Sequence, residues 1–309
     1  MLLGVTFFSY VLAVSSGNHY WQILSQLNRM GLTLTPQQAL QLQQTFHVNE
    51  PVWSGYFLWL SGLLHGNLGL TITGQSVTSA ITPWILPTLL LQVPAILTSL
   101  LIGLFVGVYL AAHYNSKIDH VLSSSLAGML AVPAFWLATF AIFIFAGKLR
   151  LLPAFGFVSP VPPYIWGNVY LDMAVHYILP FAVLVAVSTP VYARLARAKA
   201  IDVMSEDWVL SLRTSSVKRS RLLYRHILKN SLGPVLAASS VNLALFLASS
   251  PGIEVAFNWP GLGLGFARAA LNYDQATMMA IILLMALITV VVTVIMDLFS
   301  AVIDSRVAV

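Results

Sequence analysis

The chain has 309 residues, of which 58% are hydrophobic and 8% charged, with a mean hydropathy of +0.84 and a formal net charge of +5. That much apolar surface exceeds what one water-soluble core can bury, so composition excludes an ordinary soluble domain and makes lipid the solvent. The absence of cysteine excludes structural disulfides and thiolate metal sites. A basic balance would suggest nucleic acid in a soluble protein; here it reads as membrane topology, with no nucleic-acid partner expected.

Met1 to Ser15 is apolar but shorter than a full span, and no basic residue precedes it. The stretch "AVSSG" at its end resembles a signal-peptidase site, but the positive start of a signal peptide is missing. A first membrane helix whose cytoplasmic beginning lies outside this sequence is the preferred reading. An external segment of about sixty residues follows. Within it Thr35, Pro36 and Gln38 form a capping-box start for a short helix ending near Phe46. The stretch "PVWSGYFLWLSGLLHG", with Trp53, Tyr56, Phe57 and Trp59, suits an interfacial helix on the outer leaflet.

Charge-free segments then run from Pro51 to Ser116, Val121 to Gly147, Met173 to Ala193, Asn230 to Ile253 and Gln275 to Met296. Each has enough apolar residues for a hydrocarbon core that needs about 20 helical residues, and in lipid only helices satisfy their own backbone. The expected fold is therefore an all-α integral membrane protein with six transmembrane helices. The chain divides into residues 1–83, the first helix plus the external segment, and 84–309, a core of five helices with a cytoplasmic loop at 194–232. Pro87, Pro94, Pro133, Pro180 and Pro190 each remove a backbone hydrogen bond and are expected to bend or interrupt their helices. If the first helix runs outward, Lys117, the basic residues from Arg194 to Lys229, and Arg306 are cytoplasmic. Only Arg29, Lys148, Arg150 and Arg268 then lie outside, as short basic loops demand. Both termini are expected in the cytoplasm.

Catalytic chemistry is poorly supported. Asp172, Glu254 and Asp274 fall at external helix ends and Asp297 and Asp304 near the cytoplasmic end of the last helix, where solvation or pairing with Arg suffices. The seven histidines show no metal-ligand spacing, so no metal is expected. Ser123 to Ser125 have no paired base, and Gly147-Lys148 is followed by Leu149, so no phosphate-binding loop is present.

The exception to this plainness is "EDWVLSLRTSSVKRSRLLYRHILKNSLGP", Glu206 to Pro234. Trp208, Val209 and Leu212 fall at i, i+1 and i+4 on a short helix outside the bilayer, an apolar stripe that a protein groove would suit. Glu206 and Asp207 begin that helix and Arg213 stands near its end, both favourable to the helix dipole. Thr214, Ser215 and Ser216 break it, and a second amphipathic helix is expected from about Val217 toward Pro234.

This run resembles the cytoplasmic signature loop of the permease subunits of binding-protein-dependent ABC importers, in the branch transporting oligopeptides, dipeptides and nickel or metal chelates. That loop typically reads Asp-Tyr-Val-x-x-Ala-Arg-Ala-x-Gly-Leu and then Arg-His-x-Leu-Arg-Asn-Ala-Leu-x-Pro. Asp207, Trp208, Val209, Arg213, Arg225, His226, Leu228, Lys229, Asn230, Leu232 and Pro234 fall in register without a gap. The external segment from Phe46 to Val77, "VPAFW" at 132–136, "LLPAFG" at 151–156, "YARLARA" at 192–198, "EVAFNWPGLG" at 254–263 and "DLFSAVIDSRV" at the C-terminus also have counterparts. Departures are Ser216 where the loop has glycine, Leu212 and Thr214 where it has small alanines, and Ser305 where the ending has proline.

The resemblance implies a type I, MetI-like permease in the cytoplasmic (inner) membrane of a prokaryote, multi-pass and without catalysis of its own. Two such permeases, usually non-identical, would pair with two ABC ATPase subunits and an extracytoplasmic substrate-binding protein, with ATP and Mg on the ATPases and no cofactor on this chain. It makes Glu206, Asp207, Trp208, Val209, Leu212, Arg213, Ser215 and Ser216 the coupling element. It sets Glu254, Phe257, Asn258, Trp259, Pro260, Gly261 and Gly263 at the outer mouth under the binding protein. A loop that merely caps the last two helices is the plainer reading of the same residues, and a channel-like pore subunit is the alternative of a different class. Substrate choice among peptides, metal chelates and oligosaccharides is left open by the residues.

Overall fold

A computed structural model describes residues 4, 6–8, 10–11, 35–36, 51–160, 167–215 and 217–303. The expected short helix from Thr35 to Phe46, the turn residue Ser216, and the C-terminal Asp304, Ser305 and Arg306 lie wholly or largely outside them. Among the described residues the secondary structure is helical, apart from an isolated antiparallel bridge between Leu70 and Ser76. The helices are α1 (Val52–Leu64), α2 (Val77–Ala112), α3 (Lys117–Leu130), α4 (Ala134–Ala141), α5 (Val169–Met204), α6 (Asp207–Thr214), α7 (Leu228–Ala256), α8 (Leu262–Leu271) and α9 (Gln275–Ile303). A π-helical segment, Ile142–Lys148, extends α4; a single turn at Arg219–Arg221 and a second π-helical segment, Leu222–Ile227, lead into α7. The second amphipathic helix expected from about Val217 is thus the start of a longer helix.

Among the described residues three helices are long and apolar enough to cross a membrane: Val77–Ala112, Val169–Met204 and Gln275–Val302. A fourth crossing results if α3 and α4 with its π-helical extension count as one span. Those two halves meet at 99°. Pro133 stands at the break as the residue preceding α4, with φ −60° and ψ 135°, because proline disfavours helical backbone in the residue before it and cannot donate to the preceding turn. The other four prolines behave differently. Pro87 and Pro94 lie within α2, and Pro180 and Pro190 within the uninterrupted α5. A 36-residue helix has enough remaining hydrogen bonds to continue past each missing one.

The chain forms two compact units, Met1–Thr88 with Pro260–Ile288 and Leu89–Trp259 with Thr289–Val309. In the first, α1 packs through Tyr56, whose hydroxyl meets the Thr6 hydroxyl at 3.0 Å, while Trp53 stacks on Phe7 at 4.9 Å. Trp53 and Phe57 also leave large exposed surfaces, the aromatic character that the headgroup zone accommodates. The core of this unit is Val77, Ile81, Leu262, Ala280 and Ile281, flanked by Trp84 and Phe266. Asp274 caps α9 by accepting from the Thr277 N–H at 3.1 Å and its hydroxyl at 2.8 Å.

In the second unit, α2 and α5 approach through glycine. A Cβ at Gly103 would lie 2.5 Å from the Tyr192 Cβ, and one at Gly107 would lie 2.5 Å from the Ala193 carbonyl oxygen. Such contact distances are available only where no side chain separates the backbones. Ser300 donates to the Gly233 carbonyl at 3.1 Å, fixing the end of α9 against the start of α7.

Candidate functional site

The sequence directs attention to two places, and the structure puts both in the second unit for most of their length. At the first, α5 ends at Met204, and Glu206 adopts extended backbone before α6 begins. Trp208 Nε1 donates to the Glu206 carboxylate, tying the first turn to the residue ahead of it. Val209 is completely buried in a cluster with Val108 and Ala111 of α2, Ala200 and Val203 of α5, and Leu222, Leu223 and Ile227 of the π-helical segment. Trp208 and Leu212 flank this cluster and are half-buried.

The stripe of Trp208, Val209 and Leu212 therefore lies on a groove of the chain's own making. An eight-residue helix is marginal in water by itself, so this burial is what holds it. The opposite face consists of Glu206, Asp207, Leu210, Ser211, Arg213 and Thr214, all exposed, with Leu210 63% accessible. Leu210 was not singled out in the sequence because a lone leucine at i+1 of a stripe reads as filler; its exposure is visible only once the stripe is seated.

The return from α6 is closed by the Val217 N–H donating to the Ser215 carbonyl at 2.8 Å. Arg219 Nη2 then reaches the Ala112 carbonyl at the end of α2, 2.9 Å away. Arg225 and His226 fall in the last turn of the π-helical segment. Irregular hydrogen bonding of this kind in an otherwise α-helical path frequently marks a functional position.

A second polar contact beside this element was missed in the sequence. Asp119, in the first turn of α3, is 1% exposed and accepts from Arg197 Nε and Nη2, each at 2.7 Å. It also accepts from the Asn115 N–H at 3.0 Å and the Ser123 hydroxyl at 3.1 Å. The available signal was Arg197 within "YARLARA", one helical turn after Arg194 on a helix with no acid of its own nearby until Asp202.

In the segment expected at the outer mouth, Glu254, Phe257 and Trp259 are buried, while Asn258 is exposed at φ 48°. The left-handed conformation of Asn258 lets the Trp259 N–H turn back to the Glu254 carbonyl at 2.8 Å. Gly156 donates to the Phe257 carbonyl at 2.8 Å, and Phe157 meets the Trp259 ring edge-on at 4.8 Å. Ser159 gives its N–H and hydroxyl to Asp172 at 2.6 and 2.8 Å. Thus Asp172 holds a loop, and Phe257 and Trp259 serve as its internal packing. Pro260, Gly261 and Gly263 belong to the first unit, where they open α8 and the Leu262 N–H donates to Thr88 at 2.7 Å.

Within the second unit, Glu254 lies near one end of α7 and Ile227, which packs with Val209, precedes the other; a helix of that length spans about 40 Å at 1.5 Å per residue. Among the described residues no group of His, Asp and Glu has the arrangement of a metal site.

Residues 99–309 match the family described as binding-protein-dependent transport system inner membrane component. The oligopeptide transport system permease protein AppB of Bacillus subtilis is 28% identical, over 99% of this chain and 95% of that protein. The dipeptide transport system permease protein DppB of Alkalihalophilus pseudofirmus is 29% identical over the same shares. The metal-staphylopine import system permease protein CntB of Staphylococcus aureus is 26% identical, over 88% of this chain and 83% of its own length. With that family matched across more than half its length, and with apolar helices to cross the bilayer more than once, the chain belongs to the inner membrane components of binding-protein-dependent transport systems, the permease subunits of ABC importers.

Proposed function

We propose that the chain forms the transmembrane pathway of an ATP-driven importer of peptides or a related small solute, and that α6 is its coupling helix. The observation that carries this reading is the seating of α6. One side is locked by Val209 into three other segments, while the other presents Leu210, Asp207 and Arg213 to solvent beyond the ends of the spans. A lever that must transmit motion needs this combination: a rigid root and a free contact surface. The ATPases would supply ATP and Mg, and a second permease and an external binding protein would complete the assembly. Six spans with both termini in the cytoplasm is the proposed topology, comprising the N-terminal helix, α2, the bent α3–α4 pair, α5, α7 and α9.

Peptide import is supported by the oligopeptide and dipeptide relatives, and import of a metal chelate is the second reading, supported by the metal-staphylopine relative. The test is affinity purification from the native membrane. Two ATPase chains and a second permease should accompany the wild type. Leu210→Glu combined with Arg213→Glu should lose the ATPases while the permease stays folded. A chain that purifies alone with intact transport would overturn the proposal.

A further inference from the structure

Within the second unit, α3 is tied to its surroundings mainly through one residue. Of its 14 residues only Asp119 is buried, with Ser123 and Leu126 half-buried. Cavities of about 400 and 710 Å³ flank its contact with α5, one lined by His120 and Ser124 and the other by Leu126 and Met129. An apolar contact with gaps on both sides resists separation but not sliding, because hydrophobic attraction has no direction. A two-pronged ion pair does fix position and angle. Arg197 Nε and the Ser123 hydroxyl donate to one oxygen of Asp119, and Arg197 Nη2 and the Asn115 N–H donate to the other.

Arg197 also stands where α2, α3 and the root of α6 converge on α5. Its backbone nitrogen lies 2.7 Å from the place a Cβ at Gly107 of α2 would take, so the two main chains meet with no side chain between them. One turn further along α5, Ala200 and then Val203 pack on Val209 of α6, together with Val108 and Ala111 of α2. These segments form one packed body, in which displacement of one member is passed to the others. α3 joins that body through the Arg197 fork. Beyond α3 the chain turns by 99° at Pro133 into α4, whose Ala138 and Ala141 are buried.

We infer that Arg197 is a positioning residue for transport: through Asp119 it makes α3, the first limb of the bent span, follow the root of the coupling helix. The inference rests on α6 being that helix. Without the fork, α6 still moves α2 and α5, but α3 slips between its flanking cavities and the bent span lags behind. Lys199 and Asp202 give the contrast on the same helix, since they meet at 3.4 Å within α5 and join no second element.

The test uses the assembly purified on a tag of this chain, with its ATPases, in mild detergent. Hydrogen exchange of peptides covering residues 117–130 and 205–217 is followed by mass spectrometry with and without ATP, Mg and vanadate. In the wild type both segments should change their exchange by about fivefold or more, the lower end of ordinary coupling between sites. Asp119→Asn should keep the response of 205–217 and remove that of α3. Lys199→Gln should keep both. Asp119→Leu combined with Arg197→Leu leaves no unpaired charge, so it should melt close to the wild type while α3 stays silent. That pair of readings separates positioning from stability.

An α3 that responds in Asp119→Asn as it does in the wild type would overturn the inference. So would a wild type in which 205–217 responds and α3 does not. Recovery of the α3 response in the leucine pair would mark the ion pair as structural only and overturn it too. No response of 205–217 in the wild type with its ATPases bound would remove α6 as the coupling helix, and the inference would fall with that reading.

Discussion

Arg197 and Asp119 form a two-pronged ion pair, with the guanidinium Nε and Nη2 each 2.7 Å from a separate oxygen of a carboxylate that is 1% exposed. Arg197 also lies over the Tyr114 ring at 5.4 Å, so the pair joins α3, α5 and the turn between α2 and α3. Planar bidentate geometry is specific to arginine. We predict that Asp119→Ala lowers the stability of the solubilised chain by about 2–3 kcal/mol. That is somewhat below the roughly 3–5 kcal/mol typical of a broken buried pair, because the arginine is 26% exposed. Replacing both residues with leucine should cost less than the sum of the single changes, since no charge is then left uncompensated. A double-mutant cycle by thermal unfolding in detergent checks both statements; additive losses would show that the pair does not couple.

The close approach of α2 and α5 makes a second prediction with an internal control. A Cβ at Gly107 would meet the Ala193 carbonyl oxygen and the Ala196 Cβ, each at 2.5 Å, and the Arg197 nitrogen at 2.7 Å. Most of those atoms are backbone, which cannot swing aside. Gly107→Ala should therefore cost about 1–3 kcal/mol by overpacking, and Gly103→Ala a similar amount. Gly128 lies in α3 with nothing within 4 Å of its Cβ position, so Gly128→Ala should be neutral or stabilising by up to about 1 kcal/mol. Melting temperatures should rank in that order, and equal effects at Gly107 and Gly128 would contradict it.

The same contrast between face and surface separates Val209 from its neighbours. Val209→Ala removes two methyl groups from a site with no accessible surface and should cost about 2 kcal/mol, counting lost burial and the cavity left behind. Leu212→Ala, at a half-buried position, should cost about half as much. Proteolysis of the 205–217 loop in detergent should follow that order; indifference at Val209 would mean that α6 is held by something other than this cluster.

The span helices were legible because charge-free length is nearly sufficient to identify a helix in lipid, and the short helix at Asp207 was legible from its acidic start and apolar stripe. What the stripe packs against was not legible. A stripe at i, i+1 and i+4 indicates burial without naming the partner, and here Ala200, Val203 and Leu223 supply it from segments that also read as span or loop. Proline was similarly ambiguous. Pro133 stands at the break between α3 and α4, whereas Pro180 and Pro190 sit inside 36 helical residues that continue around them. The Asp119 pair escaped notice because its partners are 78 positions apart, and nothing local requires either charge to be buried.

The loop ahead of α5 supports a last prediction. Asp172, fully buried in the first turn of α5, accepts both the N–H and the hydroxyl of Ser159. With the Gly156 bond to Phe257, these contacts hold the segment that follows Arg150, itself exposed and at φ 52°. Hydrogen bonds to a charged group contribute about 1.5–3 kcal/mol each. Asp172→Ala should therefore raise the open population of the loop by about 10–100-fold. Ser159→Ala keeps the backbone donor and should raise it less. Trypsin cleavage after Lys148 and Arg150 in the solubilised chain reports that population when opening is fast relative to cutting. Cleavage at the wild-type rate in Asp172→Ala would show that the Phe157 and Trp259 ring contact, 4.8 Å between centroids, holds the loop without the carboxylate.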